Sequence, residues 1–304
     1  MSSTRPARRS YQAAGLSAAR ACCSPPGCSL HAEPSSSIRD VQFCTVSIMK
    51  RKDVSLATKM ALIHAMAVPI TIDGCGRKKV LIVYAHQEPK SLNGSLKTAA
   101  VKELTKQGCS VTVSDLYGMQ FEPRATRKDI TGDLHNPEQF NYGVESWEAY
   151  KNGRLSEDLI EEQRKVEEAD LVIFQFPLYW FSMPAIMKGW LDRVFVQGFA
   201  HNFPQCYESG LLKNKLALLS FTTGGDQGMY SDDGVSGNIR YLLWPMQHGI
   251  MHFCGLSILA PHICFAPEYA PEEERAQMLT SWVERLKTIW EEEPIDCTPE
   301  WYYK

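Results

Sequence analysis

Between Lys78 and Phe265 the sequence carries five short runs rich in apolar and β-branched residues, separated by stretches with helical spacing. Lys78–Ala85, Ser110–Leu116, Ala169–Phe176, Lys215–Phe221 and Leu256–Phe265 read as strands. Runs of mostly continuous apolar character suit a parallel sheet, because helices cover both of its faces. Leu96–Lys106, closed by Gly108, and segments near 156–168, 184–195, 237–252 and 271–290 read as helices. Alternation of the two types implies right-handed crossovers and a doubly wound α/β sheet, most simply in the strand order 2-1-3-4-5. In such a sheet ligands bind outside the carboxyl ends of the strands, so function is expected in the loops at that edge.

Three of those loops stand out. Phe176–Phe195, FPLYWFSMPAIMKGWLDRVF, leaves the third strand, turns at Pro177 and becomes helical after Pro184. It sets Tyr179, Trp180 and Phe181 at a strand's carboxyl end, a flat, water-poor surface suited to a planar ring system; an aromatic core corner has the same composition. The fourth strand ends in Thr222-Thr223-Gly224-Gly225, where small residues expose backbone N–H groups at the same edge. His86–Ser95, HQEPKSLNGS, joins the first strand to the first helix without a G-x-G-x-x-G, so a Rossmann NAD site is not indicated. Ser91 and Asn93 at the helix start, with His86, fit either a different phosphate cradle or ordinary N-capping. Elsewhere, His248 and His252 lie four apart on a predicted helix and so share a face, as metal ligands or as core residues.

The strings KKVLIVYAHQEPKSLNGS (Lys78–Ser95), the Pro177–Trp190 block, TTGG (Thr222–Gly225) and LWPMQHGIMHFCG (Leu243–Gly255) carry a resemblance that runs from about Lys78 to Lys304. Over that span the chain resembles the FAD-dependent quinone reductases of the flavodoxin-like superfamily, in their short-tailed branch. The resemblance implies a flavodoxin-like doubly wound parallel five-stranded sheet with a small C-terminal extension. It also implies a homodimer with the FAD site at the subunit interface. His86, Ser91, Leu92 and Asn93 would hold the FAD diphosphate and ribityl groups. Pro177, Leu178, Tyr179, Trp180, Phe181, Thr222, Thr223, Gly224, Gly225 and Tyr230 would surround the isoalloxazine. Glu268 and Arg275 would meet the adenosine part, and Asn141 would reach in from the second subunit.

By the same resemblance, Tyr230 and Gly224 are catalytic, stabilising charge at flavin N1 and O2. The substrate pocket, built from both subunits, sets Trp180, Phe181, Gly224, Met229 and Tyr230 opposite His201, Phe203, Ser236, Gly249 and Phe253. The implied reaction is a ping-pong, two-electron reduction of a quinone by a small dihydronicotinamide donor. His248, His252 and Cys297 would bind one structural zinc per subunit. Three departures bear on this expectation. His201 stands where the family has Phe or Tyr, Phe203 and Cys206 reshape the roof, and Ser236 stands where the long-tailed paralogue has a histidine. The chain also lacks that paralogue's extra C-terminal segment, which favours dihydronicotinamide riboside over NAD(P)H. An NAD(P)H-preferring reductase, a one-electron flavodoxin-like carrier and a flavin-bearing binding protein governed by redox state are the competing expectations.

Composition narrows the classes. A hydrophobic content of 44% supports a sizeable core. A net charge of -3 gives no reason to expect a nucleic-acid partner, and no apolar run approaches the roughly 20 residues of a membrane-spanning helix. The ten cysteines have no framework spacing and read as reduced thiols in a cytoplasmic setting. Residues 1–76 differ in kind: rich in Ser, Ala, Arg and Pro, with no acidic residue before Glu33, they read as a disordered extension preceding one domain at 77–304. An organelle transit peptide is compatible with that start but lacks a sustained amphipathic period, and Met60–Ile72 is apolar enough for a short helix.

Overall fold

A computed structural model describes residues 76–303, so the expectations for 1–75, a disordered extension or a short helix at Met60–Ile72, lie outside the described residues. The strands form where apolar side chains can be buried on both faces. β1 (Lys79–Tyr84) is buried from its second residue onward, and β3 (Leu171–Pro177) is buried throughout. With β2 (Ser110–Asp115) and β4 (Leu216–Thr222) they run parallel in the order β2-β1-β3-β4, followed by two short edge strands. The edge consists of β5 (Ser257–Ile258), paired with Leu216–Ala217, and β6 (His262–Cys264), paired with Ser220–Thr222. The expected fifth strand is therefore present but broken. Pro261 has no N–H to donate and interrupts the ladder between its two halves.

Side-chain alternation along the strands sorts the core into two layers. Val80, Ile82 and Tyr84 face Leu96 and Leu104 of α1 (Leu92–Lys106) and Trp282 and Leu286 of α6 (Glu272–Lys287). Leu81, Val83, Phe174 and Phe176 face the opposite layer, where α3 (Glu157–Glu168) and α4 (Ala185–Val194) contribute Leu159, Val166 and Trp190. Trp190 is fully buried, and truncating such a side chain to alanine typically removes about 3–5 kcal/mol. The helix α1 begins at Leu92 rather than at the expected Leu96, because Ser91 caps it: the Ser91 hydroxyl accepts from the Gly94 N–H at 3.1 Å.

Two other elements depart from expectation. The connection from Tyr117 to Ser156, whose aromatic residues in FNYGVESWEAY favour a subunit interface over a free loop on sequence grounds, contains α2 (Tyr142–Lys151). A buried ion cluster anchors it. Arg193 of α4 lies 3.0 Å from Asp129 and 2.8 Å from Asp158, and the Tyr142 hydroxyl donates to Asp129 at 2.8 Å. The expected helix at 237–252 is α5 (Ile239–Met246) followed by a π-helical turn, Gln247–His252. Pro245 inside α5 removes one N–H donor, and the wider turn follows directly. The C-terminal extension ends in α7 (Pro299–Tyr303), which folds back on α5: the Tyr302 hydroxyl donates to Gln247 at 3.1 Å, and the Trp244 and Tyr302 rings meet edge-on at 5.0 Å.

Candidate functional site

The order β2-β1-β3 places the reversal of winding between β1 and β3, and the candidate residues gather at the carboxyl ends of β1, β3 and β4. A cavity of about 410 Å³ opens there, lined by His86, Ser91, Leu92, Asn93 and Thr222 on one side and Pro267, Glu268 and Arg275 on the other. Seven of these eight were expected to hold a cofactor from sequence; Pro267 was not. The chain bends tightly into α1. A methyl group at Gly94 would overlap the Pro89 carbonyl, so only glycine lets the backbone turn there. His86 Nδ1 accepts from the Glu88 N–H at 2.9 Å, and burial holds its pKa below the ordinary value, so the ring is neutral at physiological pH. Arg275, on the other side of the cavity, donates to the Ala270 carbonyl.

The β4 turn supplies donors. Thr223 N–H donates to Cys264 at 3.0 Å and Ala266 N–H to Thr223 at 3.0 Å, which ties β4 to the edge strand. Among the described residues no protein acceptor takes the Gly224 or Gly225 N–H, and the space above Gly224 is open. The Thr223 hydroxyl donates to the Gly225 carbonyl at 2.8 Å and closes the turn. Tyr230 stands beside it, edge-on to Phe181 at 6.3 Å and tilted against Phe265 at 6.0 Å. Burial raises the Tyr230 pKa, so its hydroxyl keeps its proton near neutral pH and can donate.

The β3 loop is strained and exposed. Trp180 and Phe181 both take positive φ, 49° and 59°, a conformation that non-glycine residues rarely adopt, and Trp180 is 96% exposed. Reciprocal backbone bonds between Tyr179 and Ser182, each 3.0 Å, close the loop. A brace that the sequence did not signal holds its base: Gln87 donates to the Tyr117 hydroxyl at 3.1 Å and accepts from the Tyr179 hydroxyl at 3.4 Å. No local pattern marks Gln87, because its partners lie far apart in the chain.

The expected substrate pocket draws on two subunits, and one chain shows where each set of its residues lies. Ser236 N–H donates to the Met229 carbonyl at 3.0 Å, close to Tyr230 of the same chain. His201 packs against Phe253 at 5.9 Å in a separate cluster with Tyr207, and Phe203 is 82% exposed. Gly249 is exposed on the π-helical turn. Asn141 caps α2, accepting from the Val144 N–H at 3.3 Å. The expected zinc set does not form: among the described residues no three His, Cys, Asp or Glu side chains are placed to hold a metal. His248 and His252 do face each other at 5.7 Å, but His248 Nδ1 bonds to the Cys297 carbonyl at 2.8 Å, and the buried Cys297 thiol takes the Tyr302 hydroxyl at 3.5 Å. Those bonds engage groups that a metal would need.

What remains is a cradle at a helix N-terminus, a turn with free N–H groups and a planar aromatic loop side by side. Their shapes and donors fit a flavin dinucleotide, with phosphate at the helix start and ring at the turn.

Comparison with known proteins bears on the same residues. A family profile described as a flavodoxin-like fold matches residues 78–286. The chain is 68% identical over 227 residues to ribosyldihydronicotinamide dehydrogenase (quinone) of Rattus norvegicus, covering 75% of this chain and 98% of that protein. It is 50% identical over 222 residues to NAD(P)H dehydrogenase (quinone) 1 of the same organism, covering 73% of this chain and 81% of that one. Among solved structures, a candidate quinone reductase from Klebsiella pneumoniae superposes with a TM-score of 0.69 at 40% identity, over 72% of this chain and 87% of that one.

Proposed function

This chain belongs to the flavodoxin-like quinone oxidoreductases, alongside ribosyldihydronicotinamide dehydrogenase (quinone), and from that premise we propose that it reduces quinones by two electrons on a bound FAD, with dihydronicotinamide riboside as the preferred donor. The observation that carries the reading is the cavity at the β1, β3 and β4 edge, where the α1 N-terminus, the free Gly224 and Gly225 N–H groups and the exposed Trp180 adjoin. FAD, when bound, supplies the two-electron hydride chemistry.

The chain's own residues would do the rest. Ser91, Asn93 and the first N–H groups of α1 bind phosphate, with Arg275 and Glu268 at the adenosine end. Gly224 and Gly225 N–H groups and the protonated Tyr230 hydroxyl donate to oxygen and nitrogen atoms that gain negative charge on reduction. Trp180 and Phe181 offer one exposed, flat aromatic face that donor and quinone would occupy in turn, which is the ping-pong order. The greater identity to the ribosyldihydronicotinamide dehydrogenase than to the NAD(P)H enzyme supports the smaller donor.

A homodimer completes the proposal. Phe203, Val235 and Trp180 are 82%, 88% and 96% exposed, and a partner subunit would cover them while bringing His201 and Phe253 over the flavin face and Asn141 to the bound cofactor. The five described cysteines are all free thiols, in keeping with a reducing, cytoplasmic setting. No described helix is long and apolar enough to cross a membrane. No role is assigned to zinc.

The test is the anaerobic bleaching of the bound flavin by dihydronicotinamide riboside and, separately, by NADH, followed by reoxidation with menadione. Fast bleaching by the riboside alone, with menadione restoring the colour, is the expected result. Equal bleaching by both donors would move the chain to the NAD(P)H reading. A flavin that neither donor reduces would overturn enzyme function.

A further inference from the structure

Beneath the cavity floor lies a buried polar chain that links three elements. Gln175 of β3, 1% exposed, donates through Nε2 to Asn93 Oδ1 at 2.8 Å; Asn93, 3% exposed, donates through Nδ2 to Thr222 Oγ1 at 2.9 Å. Both bonds run toward the cavity, which Asn93 and Thr222 line and Gln175 does not. The Thr222 hydroxyl thus accepts from Asn93, and among the described residues no protein acceptor takes its hydrogen. The neighbouring Thr223 hydroxyl differs in this respect, since it donates to the Gly225 carbonyl.

The direction of the chain follows from its buried end. Gln175 Oε1 has no partner, whereas both polar atoms of the Asn93 side chain are paired. Reversing every bond would put the Gln175 NH2 group where that oxygen now sits, leaving buried donors unpaired. Buried N–H groups without partners are rarer than buried acceptors without partners, so the observed polarity is the stable one.

We propose that Gln175 is a positioning residue that fixes the Asn93 amide orientation and thereby presents the Thr222 hydroxyl to the cavity as a donor, selecting a cofactor with an acceptor atom, a carbonyl or phosphate oxygen, at that point. The proposal rests on the FAD reading above and adds a residue that does not itself touch the cofactor. It assigns the donor direction of the whole relay to one side chain.

The test is FAD binding by the apoprotein, read as flavin fluorescence quenching in wild type, Gln175→Leu, Thr222→Val and the double variant, with the apoprotein Tm as a check on folding. Each single variant is expected to weaken FAD by about tenfold, the size of one hydrogen bond. The double variant should be no weaker than Thr222→Val alone, because Gln175 acts through Thr222. Wild-type affinity in Gln175→Leu, or independent multiplication of the two losses, would overturn the proposal. Should Gln175→Leu fail to fold, Gln175→Glu keeps the side-chain volume. Its carboxylate, once ionised, accepts from Asn93 and reverses the relay, so FAD binding should weaken with rising pH beyond any wild-type change from His86, Glu268 or Arg275. A Gln175→Glu profile parallel to wild type would overturn it too. If the wild-type apoprotein binds no FAD, the underlying reading fails and this proposal falls with it.

Discussion

At the scale of single residues, the site works by what each side chain can donate. Tyr230 keeps its proton because burial raises its pKa, and its ring is held between Phe181 and Phe265. Tyr230→Phe keeps those ring contacts and removes only the hydroxyl. Quinone turnover is expected to fall roughly tenfold to a hundredfold while FAD affinity changes little, the pattern of a donor that matters most when charge develops; steady-state kinetics and flavin titration would check it. Much of this scale was legible in the sequence. Ser91, Asn93, Thr222 and Arg275, each expected to meet a cofactor, line one cavity. Gln175 lies in no quoted motif and Gln87 lies within the Lys78–Ser95 string, but neither was legible in its role, since each acts through partners distant in sequence. His248, His252 and Cys297 show the converse: a spacing that suits a metal ion is found where His248 Nδ1 and the Cys297 thiol are engaged in local bonds.

At the scale of elements, two buried polar groups set conditions on stability. His262 of β6 packs over Trp282 at 4.4 Å, and its pKa is lowered to about 4, first by burial and then by the Arg285 charge. The unfolded chain takes up that proton near the ordinary value of 6.5, the folded chain only near 4. Stability is therefore fully present above about pH 6.5 and falls as pH drops toward about 4, by about 3 kcal/mol in all. Urea unfolding at several pH values should show a shallower loss for His262→Phe than for wild type; equal slopes would contradict it. Arg193 bridges the buried Asp129 and the half-exposed Asp158 and holds the long connection against α4. Arg193→Met leaves the buried Asp129 uncompensated and is expected to destabilise by about 3–5 kcal/mol in chemical denaturation. The helix α2 in that connection escaped the sequence reading because its aromatic residues do not fall on one apolar face, and tertiary contacts such as Tyr142 to Asp129 hold it in place.

At the scale of the whole molecule, strand order was the most legible feature, because buried parallel strands need apolar residues on both faces and helices between them. Assembly was less legible, since a contact between two copies leaves no periodicity in one chain. If a homodimer covers the exposed apolar residues, Phe203→Glu should shift size-exclusion elution toward the monomer and release FAD on dilution, while residues 77–304 keep their far-ultraviolet circular dichroism. A dimer unaffected by that charge would place the contact elsewhere. The break at Pro261 has a further consequence. Its two fragments, Ser257–Ile258 and His262–Cys264, leave that margin without a continuous row of free backbone groups. A stray extended peptide has too little there to zip onto, so the break guards the protein against fibril-like stacking along this border.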